Sequence, residues 1–485
     1  MATPVSQSGL WTIQQDYYRR LGVAAWEDKP PFHLTNSQVF TDAYAGLIIA
    51  YWRDHPPDPD RVFYLLELGS GIGRFAYQLV RDLRRKLSYF EGLKDLRFCL
   101  VLSDIVADNL EFWRTHPKLE ELDAWLDFCV MEPGREDILV LEKSGRRLDP
   151  GGQPLLLLAN YVFDSMPHDE FRVTPLGLEE CLIELHPPVG EIEQVEVRRS
   201  YAPVSQRYAP HVQAVLEHYR QNVREGAFTI PVAVLDCLQR LRGLAPLAVL
   251  ASDRGFTSLE RMTAYPIHPF AIHQGGCFSH MVNFHALSLG FPTALMTRRE
   301  VLDGVQTVFL GDFECGPQLR YAFEEGFARA NALNHCSETY AAFRNKVQLR
   351  TLLGFLRLNL CDSNALAAVG KQIPGHLHNH SYGERLELLQ ILEESWANDY
   401  HFRGAPNLTF WLAHVYDSLR IFDRALWFYE ETARRQGQDA MLLVFQAQCL
   451  HNMRQLNQAR QRYRQALELV PGMAEASAGL QALGG

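Results

Sequence analysis

The chain reads as an α/β protein carrying a doubly wound parallel sheet with an inserted lid region, followed by an all-α repeat part. Three observations predict this. Between Val62 and Gly311 six short apolar runs recur between helical stretches: "VFYLLEL", "RFCLVLS", "WLDFCVM", "PLLLLAN", "APLAVLAS" and "VQTVFLG". Continuous apolar runs of this length suit strands buried on both faces by helices. The first run passes directly into glycines at every second position, the strand–loop–helix grammar of a nucleotide-type site. After about Gln318 the strand signals fade and helical periodicity takes over.

Composition sets outer bounds on function. With 485 residues, 47% hydrophobic and 21% charged, the chain is long enough for about two or three domains with their own cores. No run approaches the roughly 18 apolar residues of a membrane span, and "MATPVSQSGLWTIQQDYYRRLG" lacks the features of a secretory leader, so a cytoplasmic protein without membrane contact is expected. Nine scattered cysteines without a C-x-x-C pair predict reduced thiols rather than disulfides or zinc, and no metal site is expected. A formal charge of −10 disfavours nucleic acid, whose phosphates are held by basic surface.

Each element has its own justification. "FYLLELGSGIGRFAYQLV" gives a strand, a loop and a helix starting near Arg74, with Glu67, Gly69, Gly71 and Gly73 at its turn. It is not the dinucleotide fingerprint, because the third glycine precedes the position that G-x-G-x-x-G demands, and no G-x-x-x-x-G-K-[ST] occurs. The second strand closes on Asp104 and the third is followed by Met131 and Glu132. "CLIEL" and "IEQVEVRRS" read as an inserted strand pair, and "HVQAVLEHYRQNV" as a helix that could form a lid. Near the C-terminus Ala425 and Tyr429 recur as Ala459 and Tyr463, 34 residues on, which is the tetratricopeptide period. Small residues are needed where paired helices touch, and two repeats alone seldom stand, so "ERLELLQILEESW" is expected to add a preceding helix. The predicted divisions are residues 1–318 with an insertion at about 174–235, a helical connector at 319–382, and the repeats at 383–485.

E-x-G-x-G-x-G followed by an acid closing the second strand resembles the class I S-adenosylmethionine (SAM) methyltransferases, and implies their Rossmann-like sheet and their cofactor. SAM carries no phosphate, so the glycines would let the backbone lie against its methionyl and ribose parts, and the helix N-terminus would face its carboxylate. Glu67 would act near the amino end, Asp104 on the ribose hydroxyls, and Met131 and Glu132 beside the adenine. "LLLLANYVFDSMPHDEFRV" narrows the resemblance to the MidA-like methyltransferases, the family of the arginine methyltransferase acting in complex I assembly, through Asn160, Asp164, Pro167 and Phe171. Gly276, His280, Val282, Phe284 and Leu287 match a second block, Asp253 and Gly255 a strand between the two, and Thr35 lies in a fainter N-terminal match. Tyr161 and Asn283 stand where the family has acids.

The resemblance implies methyl transfer to a protein side chain, an arginine. A guanidinium must shed a proton around the time of attack, which assigns Asp164 as candidate base, Asn160 as an orienting group that also touches the cofactor, and His280 as a base or lid contact. A protein or peptide substrate recruited by the repeats, or a homodimer built through them, is the expected partner. A non-catalytic SAM-binding scaffold and a small-molecule methyltransferase are the alternatives. The histidines of "HLHNH" (His376, His378 and His380) read as a solvated linker, and the basic run Arg81–Lys86 as the wet face of the helix after the glycine loop.

Overall fold

A computed structural model describes residues 2–26, 34–132, 134–186, 195–204, 208–264, 271–273, 277–297, 305–328 and 347–484. It forms two compact units, Met1–Asn36 with Phe40–His335, and Ser37–Val39 with Cys336–Gly485. The division therefore falls later than residue 318, because the helix Pro317–Phe323 buries Leu319 and Phe323 within the first unit.

The first unit is built on a seven-stranded sheet: β1 (Phe63–Leu68), β2 (Phe98–Asp104), β3 (Leu126–Val130), β4 (Leu155–Asn160), β5 (Leu247–Phe256), β6 (Thr293–Met296) and β7 (Val305–Gly311). Their order is β6-β7-β5-β4-β1-β2-β3, with Val282–Asn283 pairing to the end of β5. β1 to β5 run parallel, and β7 lies antiparallel to both β5 and β6. The six expected runs are all strands of this sheet, and all seven residues of β7 are buried. β6 is an addition: it has four residues at the sheet edge with Ala294 exposed, too short and too wet to give an apolar run. Leucines and valines of β1, β4 and β5 fill the core beneath.

Three helices matter to the site: α1 (Gly9–Leu21), α2 (Gln38–Asp54) and α3 (Arg74–Leu87). The basic run lies on α3 with Arg85 and Lys86 against Asp42 at 2.8 and 3.0 Å, while Arg84 covers the ring of Trp125.

The insertion is a second, antiparallel sheet. Asp169–Thr174 pairs with Gly177–His186 and Gly226–Ile230, and Gly177–His186 also pairs with Glu196–Pro203. It thus begins at Asp169, ahead of 174, and its helix Pro210–Asn222 packs Tyr219 and Leu216 onto Phe171 and Phe228. The chain's own start joins it, with Thr3 and Pro4 opposite Ile183 and Leu182.

In the second unit the hairpins Leu408–Ser418/Phe422–Gln436 and Ala440–Asn452/Leu456–Leu469 repeat at 34 residues. Ala425, Tyr429, Ala459, Tyr463 and Ala466 are buried where the sequence period puts them. The turns repeat as well: Arg420 and Arg454 take φ of +61° and +65°, and Ile421 N–H to Tyr416 O is mirrored by Gln455 N–H to Leu450 O. The preceding helix Tyr382–Ala397 starts with a capping box from Ser381 and Glu384. His376 ends a short helical turn and the His380 ring bonds Leu377 O at 2.6 Å.

Candidate functional site

The sheet reverses direction at β1 and β4, which lie side by side while the chain leaves β1 for β2 on one side and β4 for β5 on the other. Crevices above the carboxyl ends of strands at such a point bind ligands. Here it opens over Leu68, Gly69, Asp104, Met131, Tyr161 and Ser165.

The glycine loop is shaped by backbone and neighbours together. Gly69, Gly71 and Gly73 have φ of +60°, +52° and +75°, a region that side chains rarely adopt. A Cβ on Gly71 would stand 2.8 Å from Trp26 Nε1, and one on Gly69 3.0 Å from Val162. Trp113 Nε1–H donates to Gly71 O at 2.9 Å and Ser70 N–H to Ser103 O at 2.9 Å, so the loop is held from β2 and from the helix behind it. α3 follows with Gly73 as its cap and no side chain spent on its first N–H groups.

Two acids flank this loop. Glu67 is 4% exposed, and its Oε2 has no hydrogen-bond partner. Burial pushes its carboxyl up to about 8, against a smaller opposing effect of Ser70 and with a further push from Asp104. Asp104 lines the cleft and accepts Gly71 N–H at 3.2 Å and Val106 N–H at 3.1 Å, with a further bond from the Asn109 side chain; burial raises its carboxyl too, despite these bonds.

Met131 lines the cleft beside the glycine loop. Glu132 does not: it is exposed and paired with Arg135 at 3.0 Å. The acid that faces inward is Glu136, which takes Gly134 N–H at 2.9 Å and stands 3.3 Å from Arg240.

The three proposed chemical groups take positions away from the cleft. Asn160 ends β4 with its Oδ1 on Tyr44 Oη at 2.7 Å; Tyr44 in turn bonds Ser252. Its Nδ2 is buried without a partner. Asp164 lies in the turn Phe163–Ser165, 4% exposed and folded under the cleft wall. Its N–H donates to Asp253 Oδ2 at 3.0 Å, its carboxylate takes Ser165 Oγ–H at 2.9 Å, and Arg254 stands 3.8 Å away. Burial raises Asp164, and burial followed by the charge of Asp164 raises Asp253 well above the usual range, so this pair holds protons readily. Asp164 does not line the cleft itself but bonds Ser165, which does. His280 is buried between Trp11 and His168, with ring centroids at 5.5 and 5.1 Å, and its N–H donates to Asp164 O at 2.9 Å. Burial drives its imidazole well below the usual value, so it is neutral near pH 7 and acts as packing.

The two departures separate. Asn283 caps a helix: it accepts Ala286 N–H at 2.9 Å and donates to Thr229 O at 2.7 Å and Tyr219 Oη at 2.9 Å. Gly255 allows this block to lie against β5, since a Cβ there would strike Val282 O. Tyr161, in contrast, lines the cleft at φ +51°, a strained backbone. Gly276 lies outside the described residues.

The sequence reading missed the N-terminal segment. Gln14, Gln15 and Tyr18 of α1, then Gly22 and Trp26, form one side of the cleft. Leu10, Trp11 and Tyr17, buried along one face, are an amphipathic signal for the helix, broken by the polar Gln14.

Residues 45–263 match the model of a family described as "Putative S-adenosyl-L-methionine-dependent methyltransferase". No curated protein matches the chain in sequence. An uncharacterised superfamily protein from Burkholderia thailandensis is similar at 12% identity over 68% of this chain and 91% of that one, with a TM-score of 0.43. A superfamily member from the same organism bound to S-adenosyl-homocysteine is similar at 14% identity over 61% and 74%, with a TM-score of 0.40. The second TPR domain of human RPAP3, in complex with an HSP70 peptide, is similar at 18% identity over 25% and 97%, with a TM-score of 0.21.

Proposed function

Since residues 45–263 match a family of SAM-dependent methyltransferases, whose cofactor is SAM, we propose that this chain transfers a methyl group to a protein side chain, an arginine nitrogen. The observation that carries the cofactor half is the cradle itself: a bend held by glycines, flanked by Asp104 and by a buried Glu67 oxygen that lacks a partner. A cationic amino group beside Glu67 and a ribose diol at Asp104 satisfy both acids, and the bend offers no phosphate loop in their place.

When bound, SAM supplies an electrophilic methyl on a sulfonium. The chain's own contribution is to hold two reactants in line in a site walled on one side by α1 and Trp26. Asp164 acts as a positioning group behind Ser165, which with Tyr161 lines the β4 side of the cleft. The hairpin unit, read as tetratricopeptide repeats, recruits the substrate protein or a second copy of the chain, in the cytoplasm. Among the described residues no helix is long and apolar enough to cross a membrane.

The burial of Asp164 favours a second reading, a SAM-binding scaffold without transfer. Full-length chain incubated with tritiated SAM and host lysate separates the two. A labelled protein band that yields methylarginine on hydrolysis supports the proposal. Cofactor uptake without transfer supports the scaffold, and label only in small molecules overturns the protein substrate.

A further inference from the structure

The segment of residues 2–26 lies outside the family match, yet α1, Gly22 and Trp26 within it wall the cleft. It is fastened at both ends. Ser6 donates N–H and Oγ–H to Asp169 of the inserted sheet, both at 2.8 Å, and Trp26 covers Gly71. Between these points α1 presents Gln14 to the cleft, 2% exposed. Its Nε2–H donates to Ser165 O at 3.3 Å, while Oε1 is buried without any partner.

A buried carbonyl oxygen left unpaired costs about 1–3 kcal/mol, so an orphan oxygen on a residue that lines a cavity marks a place where a ligand supplies the donor. The location separates this from the cofactor cradle. Gln14 is bonded to the turn after β4, whereas the glycine loop follows β1 and meets the segment farther along, at Gly22 and Trp26. An amide oxygen accepts only, which rules out a carboxylate or phosphate as its occupant and favours an N–H group. We propose that Gln14 is a substrate-positioning residue whose Oε1 accepts a hydrogen bond from the guanidinium N–H of the methyl acceptor.

This rests on the reading above of SAM-dependent transfer to arginine, and the experiment separates the cofactor half of that reading from the Gln14 assignment. S-adenosyl-homocysteine is first titrated into the full-length chain by calorimetry; absence of uptake overturns the cofactor reading itself. With the site saturated, Nα-acetyl-L-arginine amide is compared by NMR titration with Nα-acetyl-L-methionine amide, which has no side-chain donor. The wild type is expected to favour the arginine probe by about tenfold or more, the size of one hydrogen bond to a charged donor. Gln14→Leu brings the two probes level while S-adenosyl-homocysteine binds as before, and Gln14→Glu, close in size and able to pair with the cation, keeps the preference. Equal binding of both probes by the wild type overturns the assignment. So does an arginine preference that survives in Gln14→Leu, or a matching loss of S-adenosyl-homocysteine affinity in that variant, which would return the oxygen to the cofactor. Should Gln14→Leu fail to fold by thermal scan, a lost preference in folded Gln14→Glu overturns it equally.

Discussion

Replacing Glu67 by glutamine tests the cradle through its protons. Burial lifts this carboxyl from an ordinary 4.5 to about 8. A raised folded-state value means that its contribution to stability is complete below the unfolded value and is lost as pH rises through about 8. The full interval, at about 1.4 kcal/mol per pH unit, amounts to about 5 kcal/mol lost by alkaline pH. A glutamine cannot ionise and fits the same space, so Glu67→Gln should melt closer to wild type at pH 5 and above it at pH 8. A ligand bearing an ammonium next to Oε2 reverses the preference and draws the proton off the acid. With a value of about 8, roughly nine-tenths of a proton should leave on binding at pH 7. Calorimetry of S-adenosyl-homocysteine in two buffers of different ionisation enthalpy reads this release directly. In Glu67→Gln the release should vanish and binding should weaken about tenfold or more, the worth of a charge-assisted hydrogen bond. Equal heats in both buffers for the wild type, or release undiminished in the variant, would refute the placement of Glu67 against the ligand's amino group.

Other perturbations are sharper in sign. Gly71→Ala forces a side chain into φ +52° and sets its Cβ 2.8 Å from Trp26 Nε1, so S-adenosyl-homocysteine affinity should fall about tenfold, and an unchanged titration would contradict the close seat of Trp26. Asp164→Asn removes one of two buried carboxyls whose folded values are raised; the melting temperature of the variant relative to wild type should climb from pH 5 to pH 8, and a shrinking gap would show that the pair is not strained by charge. Tyr463→Ala empties a fully packed position against which Gly479 is pressed, and should cost about 3–5 kcal/mol in urea unfolding of the hairpin unit; a loss below 1 kcal/mol would mean the 34-residue register carries no core.

The sequence was legible where burial is two-sided. β1, β2, β4 and β7 spell their position because helices cover both faces, and the glycines of the loop sit at backbone angles that few other residues tolerate. It was illegible where a turn decides which way a side chain points. Glu132 and Glu136 are the same residue type one turn apart, but the bonds Arg135 N–H to Glu132 O and Ile138 N–H to Arg135 O fold the segment so that the later acid lines the cleft. Asp164 follows a strand end, where an acid ordinarily faces a ligand. The positive φ of Tyr161 and the short turn after it send Asp164 under the wall instead, onto Asp253 and Arg254. The helix α1 went unread because its inner face mixes Leu10 and Trp11 with Gln14, and the polar member of that face serves the cavity rather than the core.

That same geometry bears on the two replaced acids. Asn and Asp serve almost equally as helix N-caps, and Asn283 spends its amide on Ala286, Thr229 and Tyr219, all buried. An acid at this position would accept the same cap bond but has no N–H for Thr229 O, so the amide suits this buried helix cap, away from the cleft lining. Tyr161 is different, since it stands on the cleft wall and its phenol is held neutral by burial and by the nearby Asp253 and Asp164. Of the two replaced positions, only Tyr161 therefore lines the cleft, on the wall that also carries Gln14 and Ser165.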